Sequence, residues 1–302
     1  MSDQWKSYQE RGSGFWIRAV FWLGLRLGRP LTRCVLWPIV AYFLLTGQGA
    51  RRASRGFLAV ALGRPARLAD LWRHFFYFAS TILDRLYFYA GRTRALDVTV
   101  HGAELFDPIL RSGRGALLLS AHFGSFDAMR AAAEQREDAL SLRILMDLSH
   151  SRTLNAALRA VNPEFLEAII DSSEADHELA LRIRDAVDDG DIVGLMADRV
   201  NNVRERTVQG SLLGHPVQLP ATPWLLAAVL RTPVILGLCT YEGGNRYNVH
   251  FEQLHPGGQA IGSRQRTAFV ARQAQAYLDH IERHVRRNPF NWFNFYDYWT
   301  RA

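Results

Sequence analysis

The chain has 302 residues, 48% of them hydrophobic and 22% charged, which is enough to bury one good core or two small ones and is neither a disordered nor a fibrous composition. It carries 36 basic against 29 acidic side chains, a net charge of +7, yet Lys6 is the sole lysine. Chemistry that needs a buried lysine (a Schiff base, pyridoxal phosphate) or a lysine on nucleotide phosphates is therefore excluded, because Lys6 stands in a polar stretch at the N-terminus.

Cys34 and Cys239 are two isolated thiols without C-x-x-C or metal-ligand spacing, a usage that points to a reducing compartment. The chain contains no G-x-G-x-x-G, G-x-S-x-G, H-E-x-x-H or acidic calcium loop, and no internal repeat. Dinucleotide, α/β-hydrolase, zincin and EF-hand readings lose their usual support.

The charge is unevenly placed. Residues 1–100 carry 15 basic and 5 acidic side chains, a net +10, and hold 18 of the 35 aromatic residues, whereas residues 101–302 are net −3. The arginines of the first third are embedded in Leu, Val, Ile, Trp and Phe rather than in Ser, Asn and Gly. Guanidinium groups and aromatic rings over an apolar stretch suit a lipid headgroup layer, so membrane lipid is the expected partner and nucleic acid is not. No secretory signal follows Phe15–Leu27, which contains Arg18 and Arg26. The longest uncharged run, Cys34 to Ala50, has 17 residues and includes Pro38 and Gly47, short of the ~20 that cross a bilayer. A helix lying in the membrane surface is the expectation, with a true span second.

In chain order, Ala66–Ala90 has helical spacing, Val98–Val100 is a short strand, and Gly115–Ala121 is a continuous apolar run suited to a strand covered on both faces. Phe126–Gln135 reads as helix, Leu140–Met146 as strand, Thr153–Val161 and Glu174–Asp188 as helices, and Ile192–Ala197 as strand. A strand-loop-helix is expected around Leu213-Gly214-His215-Pro216, with Thr222 as N-cap of a helix to Leu230 and Pro223 at its first turn. Pro233–Tyr241 and Tyr247–Phe251 are strands, Arg264–Val285 is a long helix, and the aromatic tail Phe290–Trp299 follows. The alternation predicts an α/β fold: a mixed, mostly parallel sheet flanked by helices over residues 95–302, preceded by a basic, aromatic-rich helical membrane-associating region, residues 1–94.

Ligands of open α/β sheets meet the carboxyl ends of the strands. There the segment Ser120-Ala-His122-Phe-Gly-Ser-Phe-Asp127 places a histidine, with an aspartate five residues on. The two side chains meet if His122 sits in a turn and Asp127 in the first helical turn, with Gly124 and Ser125 supplying the turn and N-cap. The carboxylate then orients one imidazole nitrogen while the other takes a proton from an acceptor hydroxyl. Backbone N–H groups near Gly124 are expected as oxyanion donors. Asp198, Arg199 and Arg204, with Asn201, Asn202 and Arg206, gather at the same sheet edge as candidates for binding an acceptor phosphate or a phosphopantetheine. His150, His215 and His255 lack ligand spacing and are expected to be structural or exposed.

H-x-x-x-x-D after an apolar strand resembles the signature of the glycerolipid acyltransferases. Within that superfamily the chain resembles the bacterial lipid A biosynthesis acyltransferases of the lauroyl/myristoyl type. The likeness rests on S-A-H-F-G-S-F-D at 120–127, G-L-M-A-D-R at 194–199, Leu213-Gly214-His215-Pro216 and the aromatic stretch holding Trp292. It implies transfer of a fatty acyl group from an acyl carrier protein thioester, or from coenzyme A, to a hydroxyl or amine of a lipid-like acceptor at the cytoplasmic face of a bacterial inner membrane. His122 would be the base and Asp127 its orienter, without metal or other cofactor. Where family members often have a Tyr-Arg pair this chain has Met146-Asp147, with Arg152 later, and F-P-E-G-T-R is missing. The missing block argues against a close relative of the glycerol-3-phosphate and lysophosphatidate enzymes, whereas the altered pair and the Phe290–Trp299 tail suggest a divergent branch serving another product, such as an aryl polyene or ornithine lipid. A coenzyme A-dependent lysophospholipid acyltransferase, a thioester hydrolase and a non-catalytic membrane scaffold are the rival readings.

Overall fold

A computed structural model of the chain describes Arg26 and residues 28–134, 140–146, 168–173, 176–200 and 205–299. Three helices come first: α1 (Arg29–Thr46), α2 (Gln48–Leu62) and α3 (Leu68–Tyr89). The apolar run read from the sequence as one segment is broken at Gly47, where α1 ends and α2 begins at a bend of 93°. No single described helix is long and apolar enough to cross a membrane; α1 and α2 meet that length and composition only as a bent pair. Arg51 donates from Nη1 to the Leu44 carbonyl, satisfying one of the free acceptors at the end of α1.

Beyond α3 the chain alternates. In order come β1 (Asp97–His101), α4 (Asp107–Ser112), β2 (Ala116–Ser120), α5 (Phe126–Glu134), β3 (Leu142–Met146), β4 (Ile169–Asp171), α6 (Asp176–Asp188), β5 (Ile192–Met196), β6 (Thr207–Leu212), β7 (His215–Pro220), α7 (Thr222–Leu230), β8 (Val234–Gly243), β9 (Arg246–His255) and α8 (Arg266–Arg287). Seven strands form one sheet in the order β1-β9-β8-β2-β5-β3-β4. Every neighbour pair in it is parallel except the β8–β9 hairpin. β2 and β5 lie centrally and are buried almost throughout, which is why their sequences are apolar runs without alternation.

Two local expectations are corrected. Residues 207–220 form an antiparallel hairpin, β6–β7, turning through Leu213 and Gly214, both at positive φ, in place of strand-loop-helix. The cap of α7 is Ala221 and makes no side-chain capping bond; Thr222 is already helical. β4, α2 and α4 carry too short or too weak a pattern to have been read. The expected helix Thr153–Val161 lies outside the described residues.

One core crosses residue 94. Val40, Leu44, Phe57, Leu58, Leu71 and Phe75 of the N-terminal helices share a buried cluster with Leu117, Leu119, Leu195 and Trp292. Arg29 of α1 is tied down as well: its guanidinium donates to both carboxylate oxygens of the fully buried Asp84 on α3, at 2.6 and 2.7 Å, and Tyr247 donates to the same carboxylate at 2.6 Å. The buried charges are paired and hydrogen-bonded, the condition under which such a group can be kept from water.

Candidate active site

The site is built by strand register. β2 and β5 run parallel with Ser120 opposite Met196, and the Ala197 N–H continues the ladder by donating to the Ser120 carbonyl at 2.9 Å. Two residues past each strand end stand His122 and Asp198, at the carboxyl edge of the sheet. His122 Nδ1 lies 2.8 Å from Asp198 Oδ1, and the His122 backbone N–H donates to Oδ2 at 3.0 Å. A carboxylate only accepts, so the ring proton is on Nδ1 and the Nε2 lone pair is left for another partner. The imidazole is 37% exposed while Asp198 is 2% exposed, so the carboxylate is out of water and the ring can meet a substrate. Burial by itself would raise the Asp198 pKa, but the His122 ring, the Arg199 charge and the His122 backbone N–H outweigh it and hold the group below the usual carboxylate range. Trp292 Nε1 donates a third bond to Oδ2 at 3.3 Å.

Asp127 has a different partner. After His122 the chain turns through Gly124, at φ +64°, where any Cβ would collide with the Cys239 carbonyl; only glycine fits. Ser125 then caps α5, its Oγ accepting the Ala128 N–H at 3.2 Å, and Asp127 falls in the first turn, as the sequence pattern predicts. The buried Asp127 carboxylate accepts from Arg85 Nε of α3 at 2.7 Å and is also bonded by Tyr89. Burial and the Asp127 charge push the Tyr89 phenol up. The carboxylate on the imidazole is thus Asp198, and the spacing argument that assigned this role to Asp127 is corrected: α5 turns Asp127 toward α3, while the parallel register delivers Asp198 to the ring.

The remaining expected residues divide. Gly124 is not an open donor, because its N–H is bonded to the Asn291 carbonyl at 2.8 Å. Arg199 faces the C-terminal segment: it donates to the Phe293 carbonyl at 2.8 Å, lies over the Tyr296 ring at 5.1 Å and is 4.0 Å from Asp198. Arg152 and Arg204 lie outside the described residues, as do Asn201, Asn202 and His150. His215 packs against Trp299, and His255 accepts the Gly257 N–H; among the described residues neither belongs to a group that could hold a metal. Sequence reasoning did not place two participants at the site: Arg85, whose relation to Asp127 spans 42 positions, and the segment Asn291–Phe293, which pairs with 122–124. The latter shows only as an aromatic cluster.

Against families of known proteins, the bacterial lipid A biosynthesis acyltransferase model matches residues 4–301, nearly the whole chain. The chain belongs to this family. It is accordingly an acyltransferase, and the resemblance first carried by residues 120–127 and 194–199 extends over both sides of the site. No individual curated protein matches the chain.

Proposed function

We propose that this lipid A-type acyltransferase moves a fatty acyl group from an acyl carrier protein thioester to a hydroxyl or amine of a lipid-like acceptor, with His122 as the base. One observation carries the reading: a half-exposed imidazole at the sheet edge whose Nδ1 is held by a buried carboxylate, leaving Nε2 to accept a proton. As the acceptor oxygen attacks the thioester carbonyl, its proton passes to Nε2 and Asp198 stabilises the imidazolium. The tetrahedral intermediate then collapses, the C–S bond breaks, and the imidazolium returns the proton to the departing thiolate. A thioester is already activated, so a positioned base can start the transfer. Asp127, held by Arg85, fixes the first turn of α5 beside the ring.

Work at a membrane surface, taken here as the cytoplasmic face of a bacterial inner membrane, is supported as to lipid contact by α1, which exposes Leu31, Trp37, Tyr42, Phe43 and Leu45 next to the arginines of α2. The acceptor is the ordinary lipid A precursor or, given Met146-Asp147 in place of the usual pair, a product such as an aryl polyene or ornithine lipid. Comparing lipid extracts by mass spectrometry from cells with the wild-type gene, with His122→Ala and without the gene identifies the acylated product. Purified protein supplied with acyl carrier protein or coenzyme A thioesters then separates the donors. Acceptor-dependent product that vanishes in His122→Ala is expected. Product undiminished in folded His122→Ala would overturn the proposal and leave a scaffold role, and acceptor-independent release of fatty acid would indicate a hydrolase.

A further inference from the structure

Behind the His122–Asp198 pair lies a second histidine that the chemistry above does not use. His74 of α3 is fully buried, stacked on Phe295 at 4.7 Å and close to the Phe57 ring. Both its nitrogens are engaged: Nε2 lies 3.0 Å from the Trp292 carbonyl and Nδ1 lies 2.8 Å from Oγ of Ser54, itself fully buried on α2. A carbonyl only accepts, so Nε2 carries the proton and Nδ1 receives the Ser54 hydroxyl. Desolvation lowers the His74 pKa to about 4, so the ring stays neutral in this one tautomer at physiological pH.

The accepting carbonyl is half of a single peptide group that reaches the site. The Trp292 C=O accepts the hydrogen bond from His74 Nε2–H, and the N–H of the same peptide unit, on Phe293, donates to the His122 carbonyl at 2.9 Å. From the same residue the indole N–H donates to Asp198. Trp292 is fully buried, pressed edge-on against Phe57, and has no freedom to serve one arm without the other. Two hydrogen bonds through one peptide group polarise each other, and each arm fixes one member of the pair: the backbone of His122 and the carboxylate of Asp198.

We propose that Ser54, His74 and Trp292 form a positioning relay that sets the His122–Asp198 pair from helices α2 and α3. The relay rests on the reading of His122 as base for its effect on rate, though not for its effect on the pair's geometry. Among the described residues, the charged and titratable groups facing the pair are Arg199, 4.0 Å from Asp198, and the Tyr277 and Tyr298 phenols, which both feel the Asp198 charge. None of these is altered by the variants below.

The test uses the full chain in nanodiscs. Trp292→Phe keeps the ring and removes the indole N–H; His74→Leu removes the donor to the peptide; His74→Gln keeps a donor; Ser54→Ala removes the hydroxyl. Two signals are read: the downfield proton resonance of the His122 Nδ1–H bond to Asp198, identified by its disappearance in His122→Gln, and kcat and KM for acyl transfer across pH. Trp292→Phe and His74→Leu are expected to move the resonance and to lower kcat roughly tenfold, the equivalent of about one hydrogen bond. KM should change by less than about twofold. His74→Gln should return both signals lost in His74→Leu toward those of the wild type. An unmoved resonance in both variants overturns the relay, whether or not kcat falls. A moved resonance with unchanged kcat supports the relay and overturns the assignment of His122 as base. If His74→Leu does not fold, Trp292→Phe and Ser54→Ala decide by the same signals.

Discussion

Asp198→Asn is the substitution on which the site makes its sharpest demand. The carboxylate receives three donors, from the His122 backbone at 3.0 Å, His122 Nδ1 at 2.8 Å and Trp292 Nε1 at 3.3 Å, and it is 2% exposed, so water cannot substitute. An amide has one oxygen and one NH2 group, and the NH2 must face one of the three donors. The arrangement with least conflict keeps the oxygen on the backbone N–H and the indole and turns the NH2 to Nδ1. That moves the ring proton to Nε2, where it blocks the lone pair the acceptor hydroxyl needs. In the serine-protease precedent the corresponding wrong tautomer costs ~10⁴ in kcat. The expected loss here is ~10³–10⁴ in kcat with KM changed only a few-fold, measured by transfer of labelled acyl groups to extracted lipid. Stability should change little by comparison, because the lost charge-assisted bonds, about 1.5–3 kcal/mol each, are offset by no longer burying an anion. A folded Asp198→Asn enzyme that keeps a tenth or more of wild-type kcat would refute the tautomer argument and return the orienting role to Asp127.

Asp127→Asn and Arg85→Gln should lower activity by similar factors, with the double variant scarcely worse than either, since the two act as one unit; full additivity in a double-mutant cycle would count against that pairing. Each should cost about 1–3 kcal/mol in urea unfolding, less than a fully buried pair because Arg85 is 39% exposed. Glu252 is held below its ordinary value of 4.5 first by its bonds to His280 and His284, against burial, so its contribution to stability is present above that value and is lost as pH falls below it; Glu252→Gln should flatten the decline of Tm toward acid pH. Replacing Arg52 and Arg55 on α2 by Gln should weaken sedimentation with anionic liposomes by about 1 kcal/mol per side chain at low salt, and unchanged binding would tell against α2 as the lipid-facing surface. Gly124→Ala should fail to accumulate as folded protein, because its Cβ would fall 1.5 Å from the Cys239 carbonyl oxygen.

Features that depend only on neighbouring residues were legible in the amino-acid order. Central strands buried on both faces must be apolar throughout, so 116–120 and 192–196 were legible as strands. A helix that begins after Gly124-Ser125 puts Asp127 in its first turn whatever lies around it. His122 was legible as a candidate for the site, since a polar side chain directly beyond an apolar strand stands at the edge where α/β sheets meet their ligands. Which carboxylate would hold that ring was decided only by tertiary structure. Asp198 is 76 positions away, and what brings it to Nδ1 is the pairing of Ser120 with Met196, a register set by the packing of both strands between helices. The sequence could place Asp198 at the same edge; it could not say whether it would face substrate or histidine. Trp292, His74, Ser54 and Arg85 were still less legible, for no periodicity links a C-terminal aromatic segment or an N-terminal helix face to a strand end. Their roles arise because one buried core joins the N-terminal helices to the sheet, leaving each enclosed polar group to find its partner across the fold.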